Sequence, residues 1–216
     1  MKPLCCLDNP SIPIVVDASA AINLNATGHA VEILTALPHD LLIVDVVVSQ
    51  ELTNGRCKGR DDADLTLSLV EAGLLQIVRL GEPGLFHFEQ LVSGSAEHTI
   101  DDGEAATVAF AVETEAIALI DERKATRICA ERFTGLTVAT TVDLFAHPDV
   151  QRALGQETLA KAVFNALQKA RMSVQSHHLD WVVNLIGPER VALCSSLPKS
   201  IRAGCSAYLP CGGSGS

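Results

Sequence analysis

Three stretches of the chain are apolar without a break: Ile14–Val16, "LLIV" at 41–44 and "AIALI" at 116–120. No polar residue alternates with the apolar ones, so both faces of each strand are expected to be buried. Two further runs, "LQIVRL" at 75–80 and "LTVAT" at 136–140, read as strands as well. Between the strands, apolar residues recur at helical spacing. This predicts a helix over 19–36 and another through "VVVSQELTNG", with Asp45 as its N-cap and Gly55 as its stop. A third helix opens at "RCKGRDDAD" and ends near Gly73. "LFHFEQLVSG", "IDDGEAATVAFAVET" and "RKATRICAERF" supply three more. Strands alternating with helices imply βαβ crossovers and a parallel sheet covered on both faces.

Past "VDLFAHPDV" the alternation stops. Leu159, Val163 and Leu167, and later Val182, Val183 and Leu185, keep helical periodicity over 156–186 with no strand among them. The expected organisation is an α/β domain over 1–150, a helical extension over 151–200 and a flexible tail over 201–216. The extension either packs on the domain or builds a homodimer.

Composition narrows this picture. The 216 residues are 48% hydrophobic and 19% charged, which suits one globular domain with an appendage and is too apolar for disorder. Aromatics make up 4%, so the core must be aliphatic. A net charge of -10 argues against nucleic acid binding over the whole surface, though not at a local basic patch. The seven cysteines are odd in number and form no CxxC pair, which excludes a regular disulfide framework or zinc site. Reduced thiols in the cytoplasm are expected. "MKPLCCLDNP" is too short an apolar start for a signal peptide. No run reaches the roughly 18 apolar residues that a membrane span needs. The expectation is a soluble intracellular protein with no membrane partner.

Two buried strands end in acids, Asp17 after "IVV" and Asp121 after "AIALI". In an open parallel sheet, ligands bind beyond the carboxyl ends of the strands, where strand order reverses. If the two strands are neighbours, their carboxylates meet and repel, and one must stay protonated. A divalent cation removes the conflict, and Mg²⁺ takes such oxygen ligands. Glu51 and Glu104 lie early in helices that follow strands, so both can reach the same rim. The joint placement of Asp17, Glu51, Glu104 and Asp121 carries more weight than any one of them.

"VVDASAAINL", "VSQEL", "DDGEAATVAFA" and "LIDERKATRICAER" resemble the four acidic motifs of the PIN domain family. The nearest pattern is the toxin branch of bacterial toxin–antitoxin systems, the VapC-like endoribonucleases. Asp17 with Ser19, "GEAATVAFA" and Asp121-Glu122-Arg123 carry that likeness, over about residues 12–147. The resemblance implies a three-layer α/β/α sandwich with a mostly parallel five-stranded sheet. It implies a ribonuclease dependent on Mg²⁺ or Mn²⁺, with Asp17, Glu104 and Asp121 as metal ligands and Glu51 as a further catalytic acid. RNA would be the substrate, cut to 5′-phosphate and 3′-hydroxyl ends, and an antitoxin protein a partner. Two features depart from the pattern: the second motif is short, with Gln50 beside Glu51, and no fifth acid can be assigned firmly between Glu122 and Asp143.

Each residue also has a plainer reading. Asp17 suits a helix N-cap. Asp101 and Glu104 form the spacing of a capping box. Glu51 reads equally as a solvated surface acid. Ser19 either bonds a carboxylate or caps its helix. Arg56, Lys58 and Arg60 follow Glu51, and Arg123, Lys124 and Arg127 follow Asp121; these flank the rim and could contact phosphates. Of them, Arg56, Lys58, Arg123 and Lys124, with Ser19, are the candidate substrate contacts. Phe86 and Phe88 read as core, so no base-stacking platform is visible. The histidines, His177 and His178 included, read as surface or packing residues. Two rivals to the nuclease stay open: a degenerate module of this fold that binds RNA or protein without cutting, and a phosphotransfer domain. The second would need another acid two residues after its nucleophilic aspartate, which "DAS" lacks.

Overall fold

A computed structural model of the chain describes residues 7–52 and 61–206, with the side chains of 50–52 and 206 outside the description. Five strands form one sheet in the order β3-β2-β1-β4-β5, every neighbouring pair parallel. They are β1 Ile14–Val16, β2 Leu41–Val44, β3 Gln76–Val78, β4 Ile117–Leu119 and β5 Val138–Ala139. The central strands β1 and β4 are buried at every position, as their unbroken apolar runs require. At the edge, Gln76 and Ile77 of β3 are exposed, and the strand is correspondingly short.

Helices flank the sheet in a three-layer α/β/α fold. In chain order they are α1 Ala18–Thr27, α2 Ala30–Ala36, α3 Asp62–Glu71, α4 Glu82–Val92, α5 Asp102–Thr114 and α6 Arg123–Arg132. Then come α7 Thr141–Ala146, α8 Pro148–Lys169, α9 Leu179–Ile186, α10 Pro188–Leu193 and α11 Lys199–Ser206. The single helix expected over 19–36 is two. Gly28, at φ 75, closes α1 in the left-handed region that glycine enters without steric cost. α8 breaks at Gly155, whose φ 71 and ψ 163 are non-helical and again need a glycine. The segment after β2 is a π-helix, Val47–Leu52, packed against α1 and α5. α5 is buried along most of its length because Ala105, Ala106, Ala109 and Ala111 allow close approach to β1, β2 and β4.

One set of contacting buried apolar residues runs from Leu7 to Leu197, through the sheet and α8 to α10. α8 packs on α1, α2 and α7. Phe88 is packed against this core, but Phe86 is 59% exposed, against the core position expected of it. The period-3.6 pattern of α4 turns Phe86 to the outer side. Among the described residues no helix is long and apolar enough to cross a membrane. Cys129, Cys194 and Cys205 are free thiols.

The return of the chain after α8 is pinned by a buried charge contact. His178, fully buried, places Nε2 3.0 Å from Asp143 Oδ1, although the angle is outside hydrogen-bond geometry. Asp143 also accepts from Thr140 N at 2.8 Å and Thr140 Oγ1 at 2.7 Å, the capping box of α7. Burial pushes the Asp143 carboxyl up, but His178 and the Thr140 donors outweigh it and hold it below the ordinary 3.8. Its contribution to stability is therefore complete above that value and is lost as pH falls through the depressed one. Removing one partner strands a buried charge. His178→Ala is expected to lower unfolding free energy by about 3 kcal/mol in urea titrations, and to expose 170–178 to proteolysis before the sheet.

Candidate functional site

β1 and β4 are neighbours, in the register Val16↔Leu119, and Asp17 N donates to Leu119 O at 3.2 Å. The strand order turns here, so the carboxyl ends of these two strands form the rim where such sheets bind ligands. Both ends carry acids. Asp17 leaves β1 in extended geometry and caps α1. Its Oδ2 accepts from Ser19 Oγ at 2.6 Å and Ser19 N at 3.1 Å. Its Oδ1 is buried and has no partner. Burial raises the Asp17 carboxyl above its ordinary value; the Ser19 and Ala18 donors pull it back, and the Asp101 charge adds to the rise. Capping and a role at the rim use different oxygens of one side chain.

Asp121, 3% exposed, is held from both sides. Thr141 N donates to Oδ1 at 2.8 Å, and Asn23 Nδ2 donates to Oδ2 at 2.6 Å, as does Thr141 Oγ1. Burial still pushes its carboxyl up to about 6 against these donors, with the Asp17 charge contributing. Asn23 and Thr141 were not visible as site residues in the sequence. Asn23 leaves a trace there, since asparagine inside a helix is disfavoured unless its side chain has work elsewhere.

Glu104 is the third residue of α5 and forms the expected capping box with Asp101, its Oε2 accepting from Asp101 N at 3.4 Å. That long bond leaves the carboxylate weakly committed. Burial pushes it up to about 8, with the charges of Asp17 and Glu122 next in effect and Asp101 adding to them. Asp17 is common to both shifts: its charge adds to the rise of Glu104 and to that of Asp121. Glu122 joins them electrostatically, while its own Oε2 caps α6 by accepting from Ala125 N at 2.7 Å. Asp143 is engaged by Thr140 and His178 instead.

The backbone of Glu51 lies in the π-helix that packs on α1 and α5; its side chain falls outside the described residues, as do Arg56, Lys58 and Arg60 altogether. Ser19 is committed to Asp17 by both N and Oγ. Lys124 is half-buried in the first turn of α6. Arg123 opens that turn, and its Nη2 donates to Val174 O at 3.2 Å, tying α6 to the segment after α8.

Among the described residues, no three His, Cys, Asp or Glu side chains already stand at metal-ligand separation. The donor set nevertheless suits a hard divalent cation. All its atoms are carboxylate oxygens, Asp17 offers a buried oxygen with no hydrogen bond, and like charges crowd one another there.

The raised carboxyls give a sign to the pH dependence. Without metal the folded chain keeps protons on Glu104 up to about 8 and on Asp121 up to about 6, whereas the unfolded chain releases them near 4.5 and 3.8. The folded state binds more protons over that window, so stability falls as pH rises. In EDTA, Tm is expected to be lower at about pH 8 than at about pH 5, and Mg²⁺ or Mn²⁺ should raise it mainly at the higher pH. A metal response equal at both pH values would count against a site on these carboxylates.

A family model described as DUF3368, a PIN domain, matches residues 13–188. No curated protein and no solved structure matches the chain significantly. The match spans all five strands, the acid rim and the helices as far as the start of α10. The chain belongs to the PIN-domain family.

Proposed function

We propose that the chain is a metal-dependent endoribonuclease that hydrolyses RNA phosphodiester bonds at the rim between β1 and β4. The observation that carries this reading is Asp17, whose buried Oδ1 has no partner and whose charge adds to the rise of both Glu104 and Asp121. A nuclease-type fold supports it.

Asp17, Glu104 and Asp121 would hold Mg²⁺ or Mn²⁺, with Glu51 as the further catalytic acid that the motif resemblance implies. When bound, such an ion supplies an activated water and neutralises charge on the phosphate. The chain's own part is positioning. Ser19 holds Asp17 by one oxygen and leaves the other buried without a partner, free to meet a cation. Asn23 and Thr141 fix the Asp121 carboxylate so that it need not reorganise. Lys124, and the Arg56 and Lys58 segment, supply positive charge for RNA phosphates.

Incubating the protein with mixed RNA, with and without Mg²⁺ or Mn²⁺, tests the reading. Asp17→Asn and Asp121→Asn should each lose at least about a hundredfold in cleavage, beyond what outer-shell changes cost. Their stabilities should diverge. Asp17→Asn relieves a buried charge with an orphaned oxygen, so metal-free Tm should rise. Asp121→Asn turns a donor towards donors and should cost about 1–3 kcal/mol. RNA binding without cleavage at any metal concentration would favour the non-cutting module.

A further inference from the structure

The segment that follows α8 lies at the acid rim. Ala170, Arg171, Met172 and Ser173 line a 250 Å³ pocket together with Ser19, Asn23, Asp121 and Glu122. The backbone on either side of Arg171 is clamped. Met172 is 1% exposed and its N donates to Ala166 O at 3.2 Å, while Val174, 3% exposed, holds Arg123 through its carbonyl. Arg171 itself sits at φ 56, in the left-handed position that ends a helix. A non-glycine residue there costs roughly 1–2 kcal/mol, so turn geometry does not account for an arginine. The side chain is exposed, and among the described residues it forms no ion pair or hydrogen bond, although Asp121 and Glu122 line the same pocket.

We propose that Arg171 is a phosphate-binding residue of this site, through which the helical extension grips the RNA backbone beside the acid rim. This rests on the nuclease reading for the identity of the ligand as RNA. A guanidinium presents a planar fork that matches phosphate oxygens in two parallel hydrogen bonds. The need for it is electrostatic. The chain carries -10 overall, and its rim gathers Asp17, Glu104, Asp121 and Glu122, which repel a polyanion. Arg123, the nearest arginine of the motif, is already engaged with Val174 O. Arg171 is an arginine of this pocket whose guanidinium has no partner among the described residues.

Arg171→Gly isolates the side chain, because glycine fits the left-handed turn better than arginine does. Its Tm should equal or exceed that of wild type. Arg171→Asn, which also tolerates that backbone, guards against a glycine-specific effect. Arg171→Lys keeps the charge without the fork. Binding of a short fluorescein-labelled single-stranded RNA is followed by anisotropy in Ca²⁺, and cleavage of the same RNA in Mg²⁺. Both Gly and Asn variants should bind about tenfold more weakly at low salt. The slope of log K against log salt should become shallower by about 0.7, one phosphate contact on a single strand. In cleavage, KM should rise with kcat little changed, and Lys should recover part of the loss. Wild-type affinity and slope in the Gly and Asn variants overturn the proposal and leave the nuclease reading intact. Wild-type protein that binds the RNA without cutting it overturns the nuclease reading, while the anisotropy comparison still decides Arg171. Wild-type protein that neither binds nor cuts it overturns both.

Discussion

Two aspartates stand buried at the ends of adjacent strands, and the cost of burying their carboxyls is what the structure around them has to meet. β1 and β4 pair in parallel, so Asp17 and Asp121 leave the sheet on the same side. Both are almost completely buried, where a bare carboxylate is costly. Local donors answer part of the cost: Ser19 for Asp17, and Asn23 and Thr141 for Asp121. They do not answer all of it. One oxygen of Asp17 has no partner, and burial pushes Asp121 to about 6 and Glu104 to about 8. A fold that only needed helix caps at these positions would have no reason to bring a third acid within electrostatic reach.

The sheet was legible because its central strands are buried on both faces. Unbroken apolar runs at β1, β2 and β4 cannot be surface strands, and their alternation with helical segments leaves little besides a parallel arrangement. What was hidden is local geometry. Gly28 splits the first helix through a backbone angle, a choice that periodicity does not encode. Phe86 points outward because α4 rotates it there, and hydrophobicity alone could not say so. At the rim, the two strand-end aspartates announced themselves by charge at the end of apolar runs. Asn23 and Thr141 did not, since their role depends on contacts 98 and 20 residues away along the chain.

The motif resemblance stops near 147, but the family match continues to 188, and the physical contacts show why the later helices matter. α8 packs on α1, the helix that Asp17 caps and that carries Asn23. Asn165 of α8 reaches across to donate to Thr27 O at 3.1 Å. The segment after α8 is then tied to the rim at two points, by Arg123 to Val174 and by His178 to Asp143. Both ties involve residues adjacent to the site's own elements, α6 and α7. α1, the helix that Asp17 caps, thus has the extension as a packing partner, while Asp17 itself is tied to β4 through Leu119 O.

The proposed activity places opposite demands on one small region. A cation is favoured by unshared negative charge, and a nucleic acid is repelled by it. The chain can satisfy both only if the negative charge is buried and the positive charge is held outside it. The burial of Asp17 and Asp121, against the exposure of Arg123 and Arg171, has that order. The acids come from the strand ends, where the sheet fixes them; the arginines come from a helix start and a helix end, where longer side chains can reach over the rim. The separation follows from the fold: strand termini are rigid and inward, and the segments that pack over them are the places left for charge that must meet a ligand from outside.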